Sequence, residues 1–450
     1  MTTDSSMRMP ARPPEPGPDF YAHPEVVRRA LEAGGRTLLD GRYQHWDKLR
    51  RKPPPEGLTS AQWWFGVRHA RLSGRRSVPL IGTDGVPFNY TLTDFINAAV
   101  HPIDLALGGR IGVDERVTNP ETRSRYLVSS LVEEAISSSL IEGAVSTRER
   151  AREMLRSDQR PRDRGERMIL NNYRTMEWLK SIRSESLTPE MLQEIQRRMT
   201  EGTLDDDADA GVFRSARHDV AVADPYGFVA FVPPPHTELP GRVQLLCDFA
   251  NAAVDPAPDG FMHPVVRAIV LHFWLAYDHP FPDGNGRTAR ALFYWSMLRH
   301  GYWMFEYLSI SPIILQGNTR YYRAFLETET DHNDLNYFLH YHLEVIARAN
   351  DALQAFVKRK VAQTQEVGRL LQGDGRLNHR QRGLLAHALR RPGHRYTVKS
   401  HQSSNGVSNQ TARNDLTDLV RRGLLRESRV GKTRHYAAEA DLETRLAGAA

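Results

Sequence analysis

The segment that decides the fold is His279-Pro-Phe-Pro-Asp-Gly-Asn-Gly-Arg-Thr-Ala-Arg290. It follows a stretch rich in Val, Ile, Phe and Trp that begins after His263-Pro264, and the broad apolar face of this stretch predicts a central buried helix. From Thr288 to Arg299 apolar residues recur at helical spacing, which predicts a second helix. The segment is therefore predicted to be a loop between two helices.

The composition of this loop is suited to binding phosphate. A glycine-rich loop at a helix N-terminus brings several backbone N–H groups and the positive end of the helix dipole to one point. Gly284, Asn285 and Gly286 are predicted to form such an anion nest. Arg287 and Arg290 lie three residues apart, on one helix face, and can each grip further phosphate oxygens with two N–H groups.

Two further loop residues supply chemistry. Asp283 is a hard oxygen ligand of the kind Mg²⁺ accepts when the ion bridges two phosphates. His279 is the loop residue whose unperturbed pKa suits a general base near neutrality. An anion nest, a metal carboxylate, two arginines and a base are the groups that phosphoryl-type transfer requires. The sequence has no G-x-x-x-x-G-K-[ST] segment, which argues against a P-loop NTPase.

The segment resembles the signature of the Fic (filamentation induced by cAMP) family, His-x-Phe-x-Asp/Glu-Gly-Asn-Gly-Arg-x-x-Arg, and meets every specified position. The resemblance covers about residues 118–360, with further similarity at Gly211-Val-Phe-Arg214 and Asn318-Thr-Arg-Tyr-Tyr322. It implies a protein adenylyltransferase, which moves AMP from Mg·ATP to a Ser, Thr or Tyr hydroxyl of a target protein. The cofactors implied are ATP, as substrate, and Mg²⁺.

The resemblance also implies roles for individual residues. By position, His279 would deprotonate the target hydroxyl, Asp283 would hold Mg²⁺ and Arg290 would bind the γ-phosphate. Phe281 would be the buried anchor of the loop. The remaining residues would bind phosphate, with the Asn285 side chain in the anion hole: Gly284, Asn285, Gly286 and Arg287.

A β-hairpin is predicted over residues 218–232, isolated between helices. His218-Asp-Val-Ala-Val222 alternates, a turn follows, and Phe228-Val-Ala-Phe-Val232 resembles a strand. The family resemblance implies that this hairpin is a flap, which aligns an extended segment of the target by strand addition. The flap residues are Val220, Val222, Phe228, Val229 and Phe231.

An inhibitory helix is predicted at about 126–143, ending in Ser138-Ser-Leu-Ile-Glu-Gly143. Gly143 is a natural C-cap, which leaves the Glu142 carboxylate at the unfavourable end of the helix dipole. Solvent exposure is the ordinary explanation of such a charge. The segment also resembles the family's inhibitory motif, in which Glu142 would pair with Arg290 and Ser138 would anchor the helix. Some members use the same glutamate to position water and remove AMP.

The C-terminal segment carries the basic excess of a chain whose net charge is +6. From Arg376 to Tyr436, 14 Lys or Arg residues face three Asp or Glu residues, which gives +11 and suggests a polyanionic partner. The pattern is similar to a winged helix-turn-helix, which is a DNA-binding, protein-interaction or dimerisation module, so DNA and a homodimer are both expected partners. The candidate DNA-contacting residues are Asn409, Gln410, Arg413, Lys432 and Arg434.

The chain is therefore predicted to be mainly α-helical and to have several parts. These are a disordered Pro-rich tail (1–18), a small accessory domain (19–115), a Fic domain (116–360), a linker (361–375) and a winged helix-turn-helix domain (376–440). Apolar runs far shorter than the roughly 18 residues of a membrane span, no signal-peptide pattern and a single cysteine favour a cytoplasmic protein without a membrane partner.

Two alternative functions stay open at this point. The chain could be a DNA-binding transcriptional regulator whose Fic core only senses nucleotide, although an intact His279 favours catalysis. It could also be a metal-dependent hydrolase with His272, His279 and Asp283 as ligands, although a structural role is commoner for a histidine on an apolar helix.

Overall fold

The computed structural model describes residues 8–108, 120–156, 159–218, 220–223, 229–253, 261–373, 377–390, 393–430 and 433–448. Within these ranges the chain is mainly helical with three small sheets, which confirms the predicted fold class. It divides into two compact units, Met1–Asp351 and Ala352–Ala450.

The N-terminal part of the first unit combines helices with one hairpin. Its elements are α1 (Pro18–Tyr21), α2 (Pro24–Gly34), α3 (Trp46–Leu49), α4 (Ser60–Leu72), β1 (Arg75–Ile81), β2 (Pro87–Thr91), α5 (Asp94–Ile103) and a π-helical turn (Asp104–Gly108). Thr59 caps α4 in a capping box with Gln62. Strands β1 and β2 pair antiparallel. Trp64 is buried, which fits a packing role for this tryptophan.

The rest of the first unit is a set of packed helices, the last of which continues past Asp351 into the second unit. They are α6 (Pro120–Ile141), α7 (Arg148–Arg156), α8 (Arg164–Ser181), α9 (Pro189–Thr200), α10 (Leu239–Asn251), α11 (Pro264–Asp278), α12 (Asn285–Arg299), α13 (Ser311–Gln316), α14 (Asn318–Thr330) and α15 (Asn336–Gly373). Short 3₁₀ turns occupy Asp207–Asp209, His236–Glu238 and Trp303–Glu306.

The predicted central helix is confirmed as α11, which packs along α12. Its sequence is apolar on nearly every side, so it is stable only when neighbouring helices surround it. Phe273 and Trp274 from α11, and Phe293 and Trp295 from α12, are almost completely buried. Burying such side chains stabilises the fold by about 1.5–3 kcal/mol each. These two helices therefore give the loop between them a rigid base.

A short hairpin crosses the face of this helical core. Strands β3 (Val222–Ala223) and β4 (Val229–Phe231) pair antiparallel, Val222 with Phe231 and Ala223 with Val229. This agrees with the predicted hairpin over 218–232, although the strands are shorter. The Phe231 ring packs against Tyr277 of α11 at a centroid distance of 4.7 Å. The hairpin is therefore supported by the core, as a lone hairpin requires.

The second unit combines short helices with one three-stranded sheet. Its elements are α16 (His379–Arg390), β5 (Arg395–Tyr396), α17 (Val398–Asn405), α18 (Asn409–Arg421), β6 (Leu425–Val430), β7 (Thr433–Ala438) and α19 (Leu442–Gly448), with strand order β5-β7-β6. Ser408 caps α18 by accepting from the Thr411 N–H at 3.1 Å. Leu416 and Leu419 of α18 are fully buried in the core of this unit.

One part of the predicted domain organisation differs from the structure. We expected a linker over 361–375, but α15 continues as helix to Gly373. Residues 361–367 contain neither glycine nor proline, so nothing in their sequence interrupts the helix before its C-terminal glycine. The predicted boundary between accessory and Fic domains lies at 115/116, outside the described residues, and stays a prediction. So does the disordered tail, of which residues 8–17 have no helix or strand before α1.

Candidate active site

The loop from His279 to Gly284 is held in an unusual backbone conformation. His279 ends α11 with φ of 48°, in the left-handed region that non-glycine residues rarely adopt. Its N–H closes the last turn by donating to the Leu275 carbonyl at 3.0 Å. Gly284 has φ of 82° and precedes the first residue of α12. Such strain persists only where the surroundings enforce it, and it is typical of functional sites.

The His279 imidazole is oriented for proton transfer. Its Nδ1 lies 3.2 Å from the Ala276 carbonyl oxygen, so Nδ1 carries the proton and donates. The Nε2 atom is then left as an acceptor. Burial lowers the pKa of His279, although the Ala276 carbonyl and the Glu142 carboxylate oppose the shift. The imidazole is therefore neutral at pH 7 and can accept a proton.

The middle of the loop is braced from within. The Phe281 N–H donates to Oδ1 of Asn285 at 2.9 Å, and Nδ2 of Asn285 donates to the Phe281 carbonyl at 2.8 Å. The Phe281 side chain is fully buried and stacks on Phe213, which agrees with its predicted role as anchor. The Asn285 side chain thus braces the loop through both of its polar atoms, and its place in the anion hole stays a prediction.

Asp283 is the accessible carboxylate of the loop. Its side chain is 49% exposed, and Oδ2 lies 3.5 Å from Nη2 of Arg287 and 4.0 Å from Nη2 of Arg164. Mg²⁺ is usually bound in proteins through one or two carboxylates together with substrate phosphates and water. A single half-exposed carboxylate beside an anion nest fits that donor set.

The two loop arginines differ in their surroundings. Arg287 is almost fully buried and donates to the Met199 carbonyl of α9 at 3.1 Å as well as to Asp283. Burial lowers the pKa of Arg287. Its Nε atom has no partner among the described residues. The guanidinium therefore links α9 to the loop, a contact that its predicted phosphate role did not include.

Arg290 is held by Ser138 of α6 and by Glu142, the residue that follows this helix. Its Nε donates to Oγ of Ser138 at 2.8 Å, and its Nη2 donates to the Ser138 carbonyl at 2.9 Å and to Oε1 of Glu142 at 2.8 Å. Burial alone would lower the pKa of Arg290, but Glu142, together with Tyr321 and Glu134, raises it. The structure thus brings together Ser138, Glu142 and Arg290, the three residues that the family resemblance assigns to autoinhibition.

The end of α6 explains how Glu142 reaches this position. Gly143 has φ of 83°, and the Ala144 N–H donates to the Ser139 carbonyl at 3.0 Å, which ends the helix in a glycine-dependent cap. The Glu142 carboxylate then lies over the backbone of Gly286, where a Cβ atom would collide with it. Glu142 therefore covers the N-terminal turn of α12 and pairs with Arg290 at the same time.

Arg214 is a residue that sequence reasoning did not assign to the site. Its N–H donates to the Pro280 carbonyl at 2.8 Å, and its Nε donates to the His279 carbonyl at 2.8 Å. Its Nη2 reaches the carbonyls of Asp278 and of Pro234, which follows the hairpin. One arginine thus fixes both ends of the His-Pro turn. The similarity at Gly211-Val-Phe-Arg214 was the available signal.

Two tyrosines of α14 lie near the Glu142–Arg290 pair. The Tyr321 hydroxyl and Nε2 of His272 share a 2.9 Å hydrogen bond, in which the His272 tautomer decides the donor. Burial, with a further contribution from the Glu142 carboxylate, raises the pKa of Tyr322 to about 12. The similarity at Asn318-Thr-Arg-Tyr-Tyr322 had pointed to this segment without assigning a role.

The hairpin residues lie beside this loop in different environments. Val229 is 49% exposed, whereas Val220, Val222 and Phe231 are half-buried. Phe228 lies outside the described residues. An exposed apolar side chain on a two-stranded edge is suited to contact an added strand.

The alternative of a three-ligand metal site finds no support in the geometry. His272 is fully buried in α11 and bonded to Tyr321, while Asp283 faces solvent. Among the described residues, no group of three or more His, Cys, Asp or Glu side chains is placed to share a metal ion.

In the second unit, the predicted base-reading residues lie on the surface. Asn409, Gln410 and Arg413 are exposed on α18. Arg434 of β7 forms a 3.0 Å ion pair with Glu427 of β6. Lys432 lies outside the described residues.

Comparison with known proteins places these observations in a family context. Residues 186–297 match the model of the Fic/DOC family. A protein adenylyltransferase Fic from Nematostella vectensis is 31% identical over 174 residues, which are 38% of this chain and 35% of that protein. A protein adenylyltransferase fic-1 from Caenorhabditis briggsae is 44% identical over 59 residues, 13% of this chain and 10% of that protein. The matches thus span about a third or less of these relatives.

The solved structures show the fold. A Fic family protein from Desulfovibrio desulfuricans G20 aligns with a TM-score of 0.52 at 20% identity, covering 78% of this chain and 98% of that one. In the described part of the chain, no helix is long and apolar enough to cross a membrane. The matched segment contains the whole loop from His279 to Arg290, and these similarities together support a domain of the Fic/DOC family in this chain.

Proposed function

We propose that this chain is a protein adenylyltransferase that transfers AMP from ATP to a Ser, Thr or Tyr hydroxyl of a target protein. The observation that carries the proposal is the placement of a neutral His279, with Nε2 free to accept, beside the accessible Asp283 and the N-terminal turn of α12. Relatives that match part of this chain are named protein adenylyltransferases.

The phosphates of ATP would be held by the first turn of α12. The backbone N–H groups at Gly284, Asn285 and Gly286 begin a helix of 15 residues, whose dipole favours bound anions. Asp283 is the residue that would hold Mg²⁺, which, when bound, neutralises charge on the α- and β-phosphates. Arg287 contributes positive charge from beneath the loop through its contact with Asp283.

His279 would act as the general base. Its Nε2 takes the proton of the target hydroxyl as that oxygen bonds to the α-phosphorus. The bond between the α-phosphorus and the bridging oxygen to the β-phosphate then breaks, and pyrophosphate leaves. The products are the AMP ester of the target and a protonated His279, which returns its proton to water.

The hairpin would present the target to this base. A target segment paired with the strand edge would run across the His279 loop, because Arg214 bonds both to that loop and to the Pro234 carbonyl after β4. Backbone pairing accepts many sequences, whereas side chains such as Val229 would set the preference.

Glu142 would keep the enzyme inactive. While Glu142 holds Nη2 of Arg290, that group is unavailable to the γ-phosphate of ATP. The carboxylate also adds negative charge above Gly286, where the phosphates would sit. Both effects disfavour a productive position of ATP, and both end when Glu142 is removed.

Transfer of differently labelled ATP tests the chemistry. The Glu142→Gly variant is incubated with lysate proteins, Mg²⁺ and ATP labelled at either the α- or the γ-phosphorus. The proposal expects label on protein from α-labelled ATP only, and none with Asp283→Ala added. Label from γ-labelled ATP would show a kinase, and label from neither would contradict the proposal.

A second candidate function, that of a DNA-binding regulator, rests on the second unit. The capped helix α18 exposes Asn409, Gln410 and Arg413, and the β6–β7 hairpin forms a wing beside it. This activity is compatible with AMP transfer by the first unit. Binding of a fluorescent 20–30 bp duplex, with an affinity that falls steeply with salt and with Arg413→Ala, would support it. Salt-independent affinity, or none, would contradict it.

A further inference from the structure

A second cavity lies in the first unit, separate from the loop of His279. Its volume is about 600 Å³, and none of its lining residues belongs to the segment from His279 to Arg290. Cavities of roughly 300–1,000 Å³ are typical of sites for small molecules and cofactors. The described function does not use this space.

Two helix faces and an N-terminal loop build the walls. Arg320, Arg323, Ala324 and Glu327 form a stripe on α14, spaced three and four residues apart. A matching stripe on α15 has the same spacing and consists of Tyr337, His340, Tyr341 and Glu344. Residues 41–44 complete the lining, with Lys48, Lys52 and Phe95.

Cationic side chains outnumber carboxylates in the lining, and two carboxylates outside it also pair with lining cations, Asp40 with Lys52 and Asp47 with Arg323. Five cationic side chains face two carboxylates, and they are Arg42, Lys48, Lys52, Arg320 and Arg323 against Glu327 and Glu344. Glu327 is shared by Lys48 at 3.0 Å and Arg323 at 2.8 Å. Arg42 is exposed and has no ion pair among the described residues.

Aromatic rings form the remaining surface. The Phe95 and His340 rings are stacked at a centroid distance of 4.3 Å. The hydroxyls of Tyr43 and Tyr337 are bonded to carboxylates, whereas that of Tyr341 has no hydrogen-bond partner among the described residues. A free phenol beside guanidinium groups can donate to an anion, and the ring faces can pack against a flat ligand.

We propose that this cavity binds a phosphate-bearing small molecule of nucleotide size. Arginine guanidinium groups bind phosphate oxygens in pairs and stack on rings, and Lys48 and Lys52 add positive charge to the lining. His340 is bonded to Thr93 at 3.0 Å and stacked on Phe95, so it is not free to act as a base. The site is therefore one of binding rather than group transfer, and it does not depend on the adenylyltransferase proposal.

Calorimetric titration of the full chain with pyrophosphate and with AMP tests the inference. The buffer contains EDTA, because metal-assisted binding at Asp283 is then suppressed. Saturable binding of at least one probe is expected, weakened about tenfold or more by Arg42→Ala/Arg320→Ala. The matched control is Arg28→Ala, an exposed arginine of α2 paired with Glu25 and Glu32 outside the cavity.

The outcomes separate this cavity from the loop of His279. Binding that survives Asp283→Ala and Arg28→Ala but weakens in the double variant supports the inference. Binding of pyrophosphate but not of AMP would show that the cavity contacts phosphate groups. Tighter binding of AMP would show that the aromatic rings of the lining also contact the ligand. The absence of saturable binding, or binding unchanged in the double variant, would overturn it. Arg42→Ala alone leaves no carboxylate without its ion-pair partner, so the fold should be retained. This single variant should weaken binding of the probe, but by less than the double variant.

Discussion

The Glu142 carboxylate accepts a 2.8 Å hydrogen bond from Nη2 of Arg290, although 148 positions separate the two residues in the sequence. Ser138 takes two more N–H groups of the same guanidinium, through its hydroxyl and its carbonyl. Arg290 is thus bound to α6 by three hydrogen bonds. The contact couples the position of a helix to the group that would bind the γ-phosphate.

The Ser138 hydroxyl is expected to contribute measurably to stability. Ser138→Ala leaves a buried Nε–H of Arg290 without its acceptor, which should lower the free energy of unfolding by about 1–3 kcal/mol. Ser139→Ala is the matched control, because its buried hydroxyl has no hydrogen-bond partner among the described residues. Urea unfolding of both variants tests the difference. Equal destabilisation would show that the hydrogen bond to Arg290 contributes little.

The pH profile should follow the neutral form of His279. Burial places the pKa of His279 below its ordinary value of 6.5, and the base must be unprotonated to accept the hydroxyl proton. AMP transfer by Glu142→Gly should therefore fall in acid and be constant from pH 7 upward. Since the Glu142 carboxylate raises the pKa, its removal should shift the acidic limb further down. A limb centred above 7 would argue against His279 as base.

Arg214 is expected to position the loop without contacting the reacting atoms. Arg214→Ala removes the side-chain donors to the His279 and Asp278 carbonyls, although the backbone N–H that bonds to Pro280 remains. It should lower kcat by about 100-fold in the Glu142→Gly background, the scale of a small misplacement. The KM for ATP should change less. Arg214→Lys should restore part of kcat, and Arg217→Ala, an exposed arginine, should have no effect. Equal loss in all three variants would contradict this role.

The flap should matter for the target and not for ATP. Val229→Asp places a charge on the exposed hairpin edge and should raise the KM for a protein target about tenfold, or 1.4 kcal/mol, with unchanged ATP affinity. Val145→Asp is the control, because Val145 is 82% exposed and is not part of either hairpin strand. Steady-state transfer to a purified target measures both. Similar effects of the two substitutions would refute a docking role for β4.

Much of the site was predictable from one contiguous segment. The loop between two helices, its anchor Phe281 and the pairing of Glu142 with Arg290 all follow from residues whose spacing or resemblance is specific. The contribution of Arg214 was not predictable in this way. It acts through backbone carbonyls, which carry no sequence signal, and lies 64 to 66 residues from the carbonyls of Asp278, His279 and Pro280 that it binds.

Other features depend on how side chains divide their hydrogen bonds. Asn285 could serve either the anion hole or the loop, and only the geometry shows that Phe281 takes both of its polar atoms. The second cavity depends on three distant segments, so no local pattern marked it. The linker predicted over 361–375 contains Gly373 and Gly375, but the helix-forming residues before Gly373 continue α15.

Intact-mass spectrometry after incubation with Mg·ATP tests the central claim most directly. Wild type, Glu142→Gly, Glu142→Gly/His279→Ala and the control Glu149→Gly are compared, with lysate proteins as targets in parallel. The account predicts AMP adducts, on the chain or on a lysate protein, that increase about tenfold or more with Glu142→Gly, a barrier reduction of about 1.4 kcal/mol. They should vanish when His279 is also replaced. Equal labelling by wild type and Glu142→Gly, or adducts that persist without His279, would contradict it.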